Sequence, residues 1–194
     1  SATAVGVVEA DELLGPDRVR KDDVVIAMAS SGLHSNGYSL ARYVLLEKAG
    51  LLLDAYVEDL DRTLGEELLE PTRIYAKDCL ALADECEVHT FCHVTGGGLA
   101  GNLARVIPTG LVAELSRGTW VPGPIFRLIQ NVEMEKTFNM GVGMVAVVAP
   151  EDRDRALAML TARHIDAWEL GTIRDADDLQ APGAVVLTGD HPGY

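Results

Sequence analysis

The segment Ser30–Tyr38 places several small hydrogen-bond donors and one imidazole in a single short stretch, Ser-Ser-Gly-Leu-His-Ser-Asn-Gly-Tyr. It follows the apolar run Val24–Ala29 and precedes an amphipathic stretch, which is the pattern of a strand-to-helix junction. The first N–H groups of a helix lack intrahelical partners and the helix dipole favours negative charge, so such junctions bind phosphate groups. The segment therefore predicts a ligand loop, and its candidate binding residues are Ser31, Gly32, Ser35 and Asn36.

Helix capping is the structural alternative for this loop. Ser35 or Asn36 could accept a hydrogen bond from a first-turn amide of the following helix. Capping explains neither His34 nor the paired serines, so both interpretations stay open at this point.

A second candidate ligand loop, Thr-Gly-Gly-Gly, lies between the strand-like run Val88–Val94 and a helical pattern over Leu99–Ile107. Glycine permits positive φ and lets a ligand approach the backbone amides without a Cβ in the way. A tight strand-to-helix turn is the alternative. The spacing fits neither a Walker loop nor the dinucleotide fingerprint, so any phosphate site here has its own geometry. The candidate residues are Thr95, Gly96, Gly97 and Gly98.

Two further polar segments complete the set. Thr137–Met144 contains Asn139, whose side chain offers an amide donor and a carbonyl acceptor, and Gly141, which permits close backbone packing beside it. Alone, this segment is typical of a bulge or turn. Glu70–Tyr75 reads Glu-Pro-Thr-Arg-Ile-Tyr; its glutamate or threonine could cap a helix, and Arg73 could meet an anion.

Strand-like runs alternate with helical patterns along most of the chain, which predicts an α/β fold. We expect a mixed β-sheet flanked by helices, arranged as a two-layer sandwich, with a loop over Asp175–Gly183. The predicted strands are Val5–Val8, Val24–Ala29, Val88–Val94, Leu111–Leu115, Val142–Val148, Trp168–Ile173 and Ala184–Leu187. The predicted helices are Ser39–Ala49, Pro71–Cys86 with Ile74, Leu80 and Leu82 as its apolar residues, Leu99–Ile107 and Arg153–His164.

Length and charge limit the classes of partner. The chain has 194 residues with 48% hydrophobic content, which suits one compact domain. With 30 acidic against 16 basic residues and a net charge of -14, it would repel nucleic acid, so no nucleic-acid partner is expected. The acidic stretch Glu58–Glu67 is expected to be a solvated face, and no metal-binding carboxylate cluster is evident.

Cysteine use and hydropathy indicate a cytoplasmic protein. The spacing of Cys79, Cys86 and Cys92 matches neither a zinc ribbon nor a redox pair, so we expect reduced, mostly buried thiols. No apolar run approaches the roughly 20 residues that cross a bilayer, and no membrane partner is expected. Because the chain opens on Ser1 with the patch Ala4–Val8 close behind, we expect it to be a piece of a longer polypeptide.

Taken together, the polar segments resemble the family of aminoimidazole ribonucleotide synthetases, or phosphoribosylformylglycinamidine cyclo-ligases. The matching text is SSGLHSNGYSLAR, LLEPTRIYAKDCLAL, HVTGGGLAGNLARVIP, TFNMGVGMVAVV and the final GDHPGY. The resemblance runs from about Val5 to Tyr194 and departs over Asn131–Lys136, which is shorter than usual. It covers the C-terminal half of family members, so residues 1–194 are expected to form one C-terminal domain without the N-terminal ATP-binding domain.

The resemblance implies an ATP-dependent ring closure in purine biosynthesis. Formylglycinamidine ribonucleotide becomes aminoimidazole ribonucleotide, with release of ADP and phosphate. ATP phosphorylates the formyl oxygen, an amidine nitrogen attacks that carbon, and phosphate leaves. The implied cofactors are ATP and Mg²⁺, held mainly by the absent domain, and the implied partners are the substrate, the chain's own N-terminal domain and a second copy in a homodimer.

Within that reaction, the polar loops would hold the phosphoribosyl end of the substrate or face the nucleotide phosphates. His34 is the candidate catalytic residue, because the near-neutral pKa of histidine suits proton transfer or contact with the reacting amide. A structural His34 is an equal alternative. The fragment alone is expected to be inactive. The rival functions are a related ATP-dependent synthetase, of the formylglycinamidine or selenophosphate type, and a non-catalytic ligand-binding module.

Overall fold

The fold is built on a central β-sheet. The computed structural model describes residues 3, 5–130, 134–178 and 180–193. The strands are β1 (Val24–Ala29), β2 (Tyr56–Val57), β3 (Arg62–Thr63), β4 (Val88–His93), β5 (Leu111–Ser116), β6 (Val142–Val148), β7 (Ala167–Asp175) and β8 (Ala184–Thr188). The helices are α1 (Tyr38–Arg42), continued by a π-helical stretch Tyr43–Lys48, α2 (Leu64–Leu68), α3 (Ala76–Glu85), α4 (Gly98–Leu103), α5 (Pro124–Ile129), α6 (Met134–Thr137) and α7 (Arg153–Ala162).

Six strands form one mixed sheet in the order β4-β6-β1-β7-β5-β8, and β2 and β3 form a separate hairpin. Every neighbouring pair in the large sheet is antiparallel except β5 and β8, which are parallel. Central β1 is an unbroken apolar run because both of its faces are covered. The predicted mixed sheet flanked by helices is confirmed, and six of the seven predicted strands are present with ends within two residues.

The apolar core divides between the two faces of the sheet. On one face, α3 and α7 pack through Leu82 and Leu160 against Ile26. On the other face, the short helix α4 packs against the sheet through Leu103, which belongs to the same apolar cluster as Val25. Alternate residues of β1 therefore point into different clusters, as the two-residue period of a strand requires.

A third apolar cluster lies around Phe126 and Phe138 and joins α1, the π-helical stretch, α2 and α5. Both phenylalanine rings are fully buried and meet edge to face, with 6.2 Å between centroids. This cluster anchors the segment that follows β1. It therefore fixes the start of the Ser30–Tyr38 loop relative to the sheet.

Several predictions about secondary structure are wrong. Val5–Val8 is not a strand; its valines are exposed, and it has no ladder partner among the described residues. The helix expected from Pro71 begins only at Ala76, with Tyr75 as its N-cap residue and no side-chain cap, so neither Glu70 nor Thr72 caps it. The side chain of Tyr75 is buried instead, and its hydroxyl donates to Ala29 O at 2.8 Å.

Three expectations about burial also change. Ile74 and Leu80 are exposed, whereas Leu82 is fully buried. Glu67 is not part of a solvated face; it is 8% exposed and lies on α2, a helix that the sequence did not predict.

Two other expectations hold, one on a loop and one on the cysteines. The loop between β7 and β8 covers residues 176–183, one residue fewer than predicted because Asp175 ends β7, and Leu179 within it lies outside the described residues. The three cysteines are free, and Cys86 and Cys92 are buried. Within the described ranges no helix is long and apolar enough to span a membrane. Of the segment 131–136, residues 131–133 lie outside the described residues, as do residues 1 and 194.

Candidate functional site

The Ser30–Tyr38 loop is held by hydrogen bonds to the segment that precedes α3. Ser31 Oγ donates to Pro71 O at 2.6 Å, and the hydroxyls of Ser35 and Thr72 are 3.0 Å apart. Helix α1 has Gly37 as its N-cap residue, with φ of 78° and no side-chain cap. The alternative in which Ser35 or Asn36 caps the helix is therefore wrong.

Asn139 clamps the loop from its other side. Its Oδ1 accepts from Ser30 Oγ at 3.1 Å and from the Gly141 N–H at 2.8 Å, while its Nδ2 donates to Gly32 O at 2.9 Å. The residue is 3% exposed, and these bonds use both ends of its amide. Asn139 and Gly141 are thus brought against the first loop, where Asn139 positions backbone atoms.

His34 is buried at the centre of this arrangement, with 4% exposure and a left-handed φ of 58°. The Ser31 N–H donates to His34 Nε2 at 3.1 Å, which makes Nε2 the unprotonated nitrogen and assigns the proton of the neutral ring to Nδ1. His34 Nδ1 has no hydrogen-bond partner in the described part of the chain. The buried Nδ1–H of His34 is therefore a hydrogen-bond donor without an acceptor among the described residues.

Three rings and one glycine surround that donor. The centroids of His34, Tyr75 and His93 form a triangle with sides of 6.1, 6.3 and 6.3 Å. Gly143 of β6 lies beneath them, where a Cβ would overlap Tyr75 Oη and come within 2.6 Å of His34 Cε1. Only glycine leaves room for both rings at this position.

The surroundings keep the His34 imidazole neutral. Burial lowers the pKa of His34 to about 4, and electrostatic interactions with His93 and Arg73 act in the same direction. Arg73 Nη1 is itself buried without a hydrogen-bond partner among the described residues. Two unused donors, one neutral and one cationic, thus lie near each other, and the group that suits them is an oxygen acceptor or an anion.

The Thr95–Gly98 loop is closed by the side chain of Asn102. The amide of Asn102 accepts from Thr95 Oγ1 at 3.0 Å and donates to the carbonyls of Thr95, Gly96 and Gly98. Gly97 and Gly98 have positive φ values of 101° and 68°. The loop does reverse the chain tightly, as the structural alternative stated, and its third glycine lies against helix α6.

The two loops lie side by side. A Cβ on Gly96 would be 3.5 Å from Asn36 Oδ1, and a Cβ on Gly98 would overlap the carbonyl oxygen of Glu135. Arg117 in turn holds the Glu135 carboxylate through Nε at 2.6 Å and Nη2 at 2.7 Å, and this pairing lowers the pKa of Glu135. The glycine loop is therefore set in place by neighbours on two sides.

A cavity of about 270 Å³ opens on the other side of the first loop. Its polar wall contains a buried carboxylate, Glu67, whose Oε2 lies 3.1 Å from Arg62 Nε. The remaining lining comes chiefly from the first loop and from α5 and the residues before it, with one residue from the turn before β3 and one before β6: Ser30, Ser31, Gly32, Leu60, Val121, Gly123, Pro124, Ile125, Phe126 and Gly141.

Sequence reasoning missed five residues of this region. Tyr75, His93 and Gly143 form the surroundings of His34, while Arg62 and Glu67 lie at the cavity. His93 is the last residue of a strand and lies next to the glycine loop, and this position in the sequence could have identified it as a candidate site residue. The described residues contain no group of three or more histidine, cysteine or acidic side chains that could hold a metal ion.

Comparison with known proteins identifies the family of this chain. The family described as AIR synthase related protein, C-terminal domain, matches residues 20–182. A Streptomyces fradiae protein with the provisional name phosphoribosylformylglycinamidine cyclo-ligase is 59% identical over 180 residues, covering 89% of this chain and 99% of that protein. A Myxococcus xanthus phosphoribosylformylglycinamidine cyclo-ligase is 50% identical over 175 residues, covering 87% of this chain.

The chain covers 51% of the Myxococcus protein, so it spans about half the length of such relatives. Among solved structures, thiamine-monophosphate kinase from Stenotrophomonas maltophilia superposes with a TM-score of 0.61 at 18% identity, covering 91% of this chain and 53% of that one. That likeness supports the fold alone. The sequence matches go further: this chain belongs to the AIR synthase related family, and it corresponds to the C-terminal domain of that family.

Proposed function

We propose that residues 1–194 form the C-terminal half-site of an ATP-dependent cyclo-ligase that converts formylglycinamidine ribonucleotide to aminoimidazole ribonucleotide. The observation that carries the proposal is the buried Nδ1–H of a neutral His34, unpartnered beside the unpartnered Nη1 of Arg73. The reaction needs such donors, because negative charge builds on the former formyl oxygen and on the phosphoryl oxygens as the C–O bond breaks and phosphate leaves. The family's reaction and this pair of donors therefore suit each other.

His34 acts in this scheme as a hydrogen-bond donor. Its Nε2 is already occupied by the Ser31 N–H, and a pKa of about 4 keeps the ring neutral at pH 7. A neutral imidazole can polarise an oxygen without giving up its proton, and a fixed donor in a dry site needs no reorganisation during the reaction. The role proposed for His34 is thus contact with the reacting amide.

The bonds that form and break define the rest of the scheme. The formyl oxygen takes the γ-phosphoryl group of ATP and ADP leaves; an amidine nitrogen then attacks the formyl carbon, loses a proton, and phosphate departs with the oxygen. Arg73 faces the phosphorylated oxygen as a cation. Ser31, Gly32, Ser35, Asn36 and the glycines at 96–98 border the same region and hold the ribonucleotide or the nucleotide phosphates.

The remaining parts of the reaction are assigned outside this chain. ATP is bound chiefly by an N-terminal domain, which the longer relatives have room for, and Mg²⁺ is held there with the nucleotide. The residues of this chain are assigned to the substrate. Homodimerisation, location in the cytoplasm and inactivity of the isolated domain belong to the same proposal.

Calorimetric titration of the natural full-length chain with formylglycinamidine ribonucleotide tests this assignment. His34→Asn is the variant and His164→Asn the matched control, because both histidines have left-handed φ values, 58° and 61°, that asparagine tolerates. His164 is exposed and lies after α7. We expect His34→Asn to weaken binding by roughly tenfold or more and the control to stay within about twofold. Equal affinities for all three proteins would contradict the assignment.

A further inference from the structure

The ring closure of the proposed function needs a proton acceptor, and His34 does not supply one. Its unprotonated nitrogen, Nε2, already accepts from the Ser31 N–H at 3.1 Å, and its other nitrogen carries the proton that makes it a donor. Burial also keeps the ring from gaining a second proton, since it lowers the pKa of His34 to about 4. The attacking amidine nitrogen must therefore lose its proton to another group.

His93 is a second imidazole beside His34 at this end of the sheet. It is the last residue of β4, it pairs with Met144 of β6, and it is exposed, so a ligand can reach its ring from solvent. Its ring centroid lies 6.3 Å from that of His34 and 6.3 Å from that of Tyr75. The proposed reaction has so far assigned no role to this side chain.

The backbone fixes His93 where the two ligand loops meet. The N–H of Val94, the next residue, donates to Gly143 O at 3.0 Å, so β6 holds the end of β4 in place. The glycine loop begins immediately afterwards, and a Cβ on its Gly96 would be 3.5 Å from Asn36 Oδ1 of the first loop. A ligand held by both loops would therefore lie beside the exposed imidazole.

The reaction requires the proton acceptor to be a neighbour of the groups that face the oxygen. When the ring closes, the departing oxygen and the attacking nitrogen are bonded to the same carbon, so the groups that serve them must lie on one side of the site. His34 and Arg73 carry the unpartnered donors for the oxygen, and both Arg73 and His93 interact electrostatically with His34. His93 thus lies on the side of the loop where the donors are.

Two other titratable groups near these rings do not suit the role of a base. The Tyr75 hydroxyl donates to Ala29 O at 2.8 Å, and burial raises its pKa, so it keeps its proton. Burial also raises the pKa of Cys79, which interacts with Tyr75, to about 11, and this keeps the thiol protonated at neutral pH. A neutral imidazole, by contrast, has one nitrogen that accepts a proton.

We propose that His93 is the general base of the ring closure. This inference rests on the proposed function. The attacking amidine nitrogen forms its bond to the formyl carbon, and its N–H proton passes to the unprotonated ring nitrogen of His93. The C–O bond then breaks, and its electron pair leaves with the phosphate. The positive charge gained by His93 adds to that of Arg73 and stabilises the leaving phosphate, and the exposed ring then returns its proton to water.

Single-turnover experiments on the natural full-length chain separate this role from phosphoryl transfer. Enzyme in excess over ATP is mixed with formylglycinamidine ribonucleotide, and ADP and aminoimidazole ribonucleotide are measured in samples quenched at intervals. In His93→Asn we expect ADP to form within about threefold of the wild-type rate and aminoimidazole ribonucleotide to form roughly a hundredfold more slowly. Affinity for the substrate should stay within about threefold, because a base acts in the transition state.

His164→Asn is the matched control, because His164 is also exposed but follows α7, and it should keep both wild-type rates. His93→Gln is a second variant, whose amide can hydrogen-bond but takes up no proton at neutral pH, and it should be as slow as His93→Asn. Wild-type ring closure in either variant would overturn the proposal, as would ADP formation slowed as much as ring closure. Those results leave the proposed function intact, which fails only if wild-type protein forms no aminoimidazole ribonucleotide.

Discussion

Replacing Gly143 by alanine should damage the candidate site and the fold together, by an amount that the local geometry sets. The added Cβ would overlap Tyr75 Oη and lie 2.6 Å from His34 Cε1. Gly143 lies at the register shift of the β1–β6 pair, and its carbonyl accepts from the Val94 N–H at 3.0 Å, which limits how far its backbone can move away. The rings must shift instead, and the Tyr75 hydroxyl then loses its bond to Ala29 O.

The expected cost combines these two effects. Overpacking a buried site costs about 1–3 kcal/mol, and a partly buried carbonyl left without its donor costs about 1 kcal/mol. We therefore expect the free energy of unfolding to fall by about 3 kcal/mol, which in a domain of this size lowers Tm by about 6–12 °C. Affinity for the ribonucleotide should fall by roughly tenfold or more, because His34 no longer lies in place.

Thermal unfolding with a double-mutant cycle is the assay. Gly101→Ala is the control, since a Cβ there meets nothing within 4 Å and alanine favours helix; its Tm should be unchanged or higher. Tyr75→Phe removes the atom that the new Cβ overlaps, so Gly143→Ala and Tyr75→Phe together should cost at least about 1 kcal/mol less than their sum. A Gly143→Ala protein with wild-type Tm, or strict additivity in the cycle, would refute the reasoning.

Three further outcomes follow from the same contacts. Burial lowers the pKa of His34 from 6.5 to about 4, so on acidification the unfolded state takes up this proton at a higher pH than the folded state does. The contribution of His34 to the free energy of unfolding, about 3 kcal/mol, is therefore complete above pH 6.5 and is lost as the pH falls towards 4. The free energy of unfolding measured across that range should depend less on pH in His34→Asn. Gly98→Ala should fail to fold or lose at least about 2 kcal/mol, because its Cβ overlaps the Glu135 carbonyl at a positive φ, and a wild-type urea midpoint would contradict this. Arg117→Gln should speed amide hydrogen exchange in β8, since Arg117 joins Glu135 to Leu187 O; unchanged exchange would show that the tie is unimportant.

The sheet could be predicted closely because its strands are long apolar runs. Val24–Ala29 and Val142–Val148 were placed without error, since strands covered on both faces carry no polar interruptions. Val5–Val8 has the same composition but no strand beside it among the described residues, and pairing is a tertiary property that composition does not contain. Pro71–Tyr75 was assigned to a helix because proline suits a first helical turn, but the helix begins at Ala76. Tyr75 is its N-cap residue, and its hydroxyl donates to Ala29 O, a contact that composition does not contain.

The polar loops could be located from the sequence, but their internal bonding could not. The proximity of Asn36 to Gly96 depends on two strand ends that lie far apart in the chain. Helix α2 is too short to show helical periodicity in the sequence. Glu67 was therefore assigned to a solvated charged stretch, although it is buried. The tautomer of His34 depends on a single backbone N–H three residues away, which no composition rule supplies.

The most direct test of the central claim is the time course of ADP and aminoimidazole ribonucleotide formation by the natural full-length protein. ADP should appear only when formylglycinamidine ribonucleotide is present, with one ADP for each product molecule. His34→Asn should lower kcat by roughly a hundredfold or more, because a fixed donor to the developing negative charge is lost. ADP release that does not depend on the ribonucleotide, or a kcat unchanged in His34→Asn, would contradict the account.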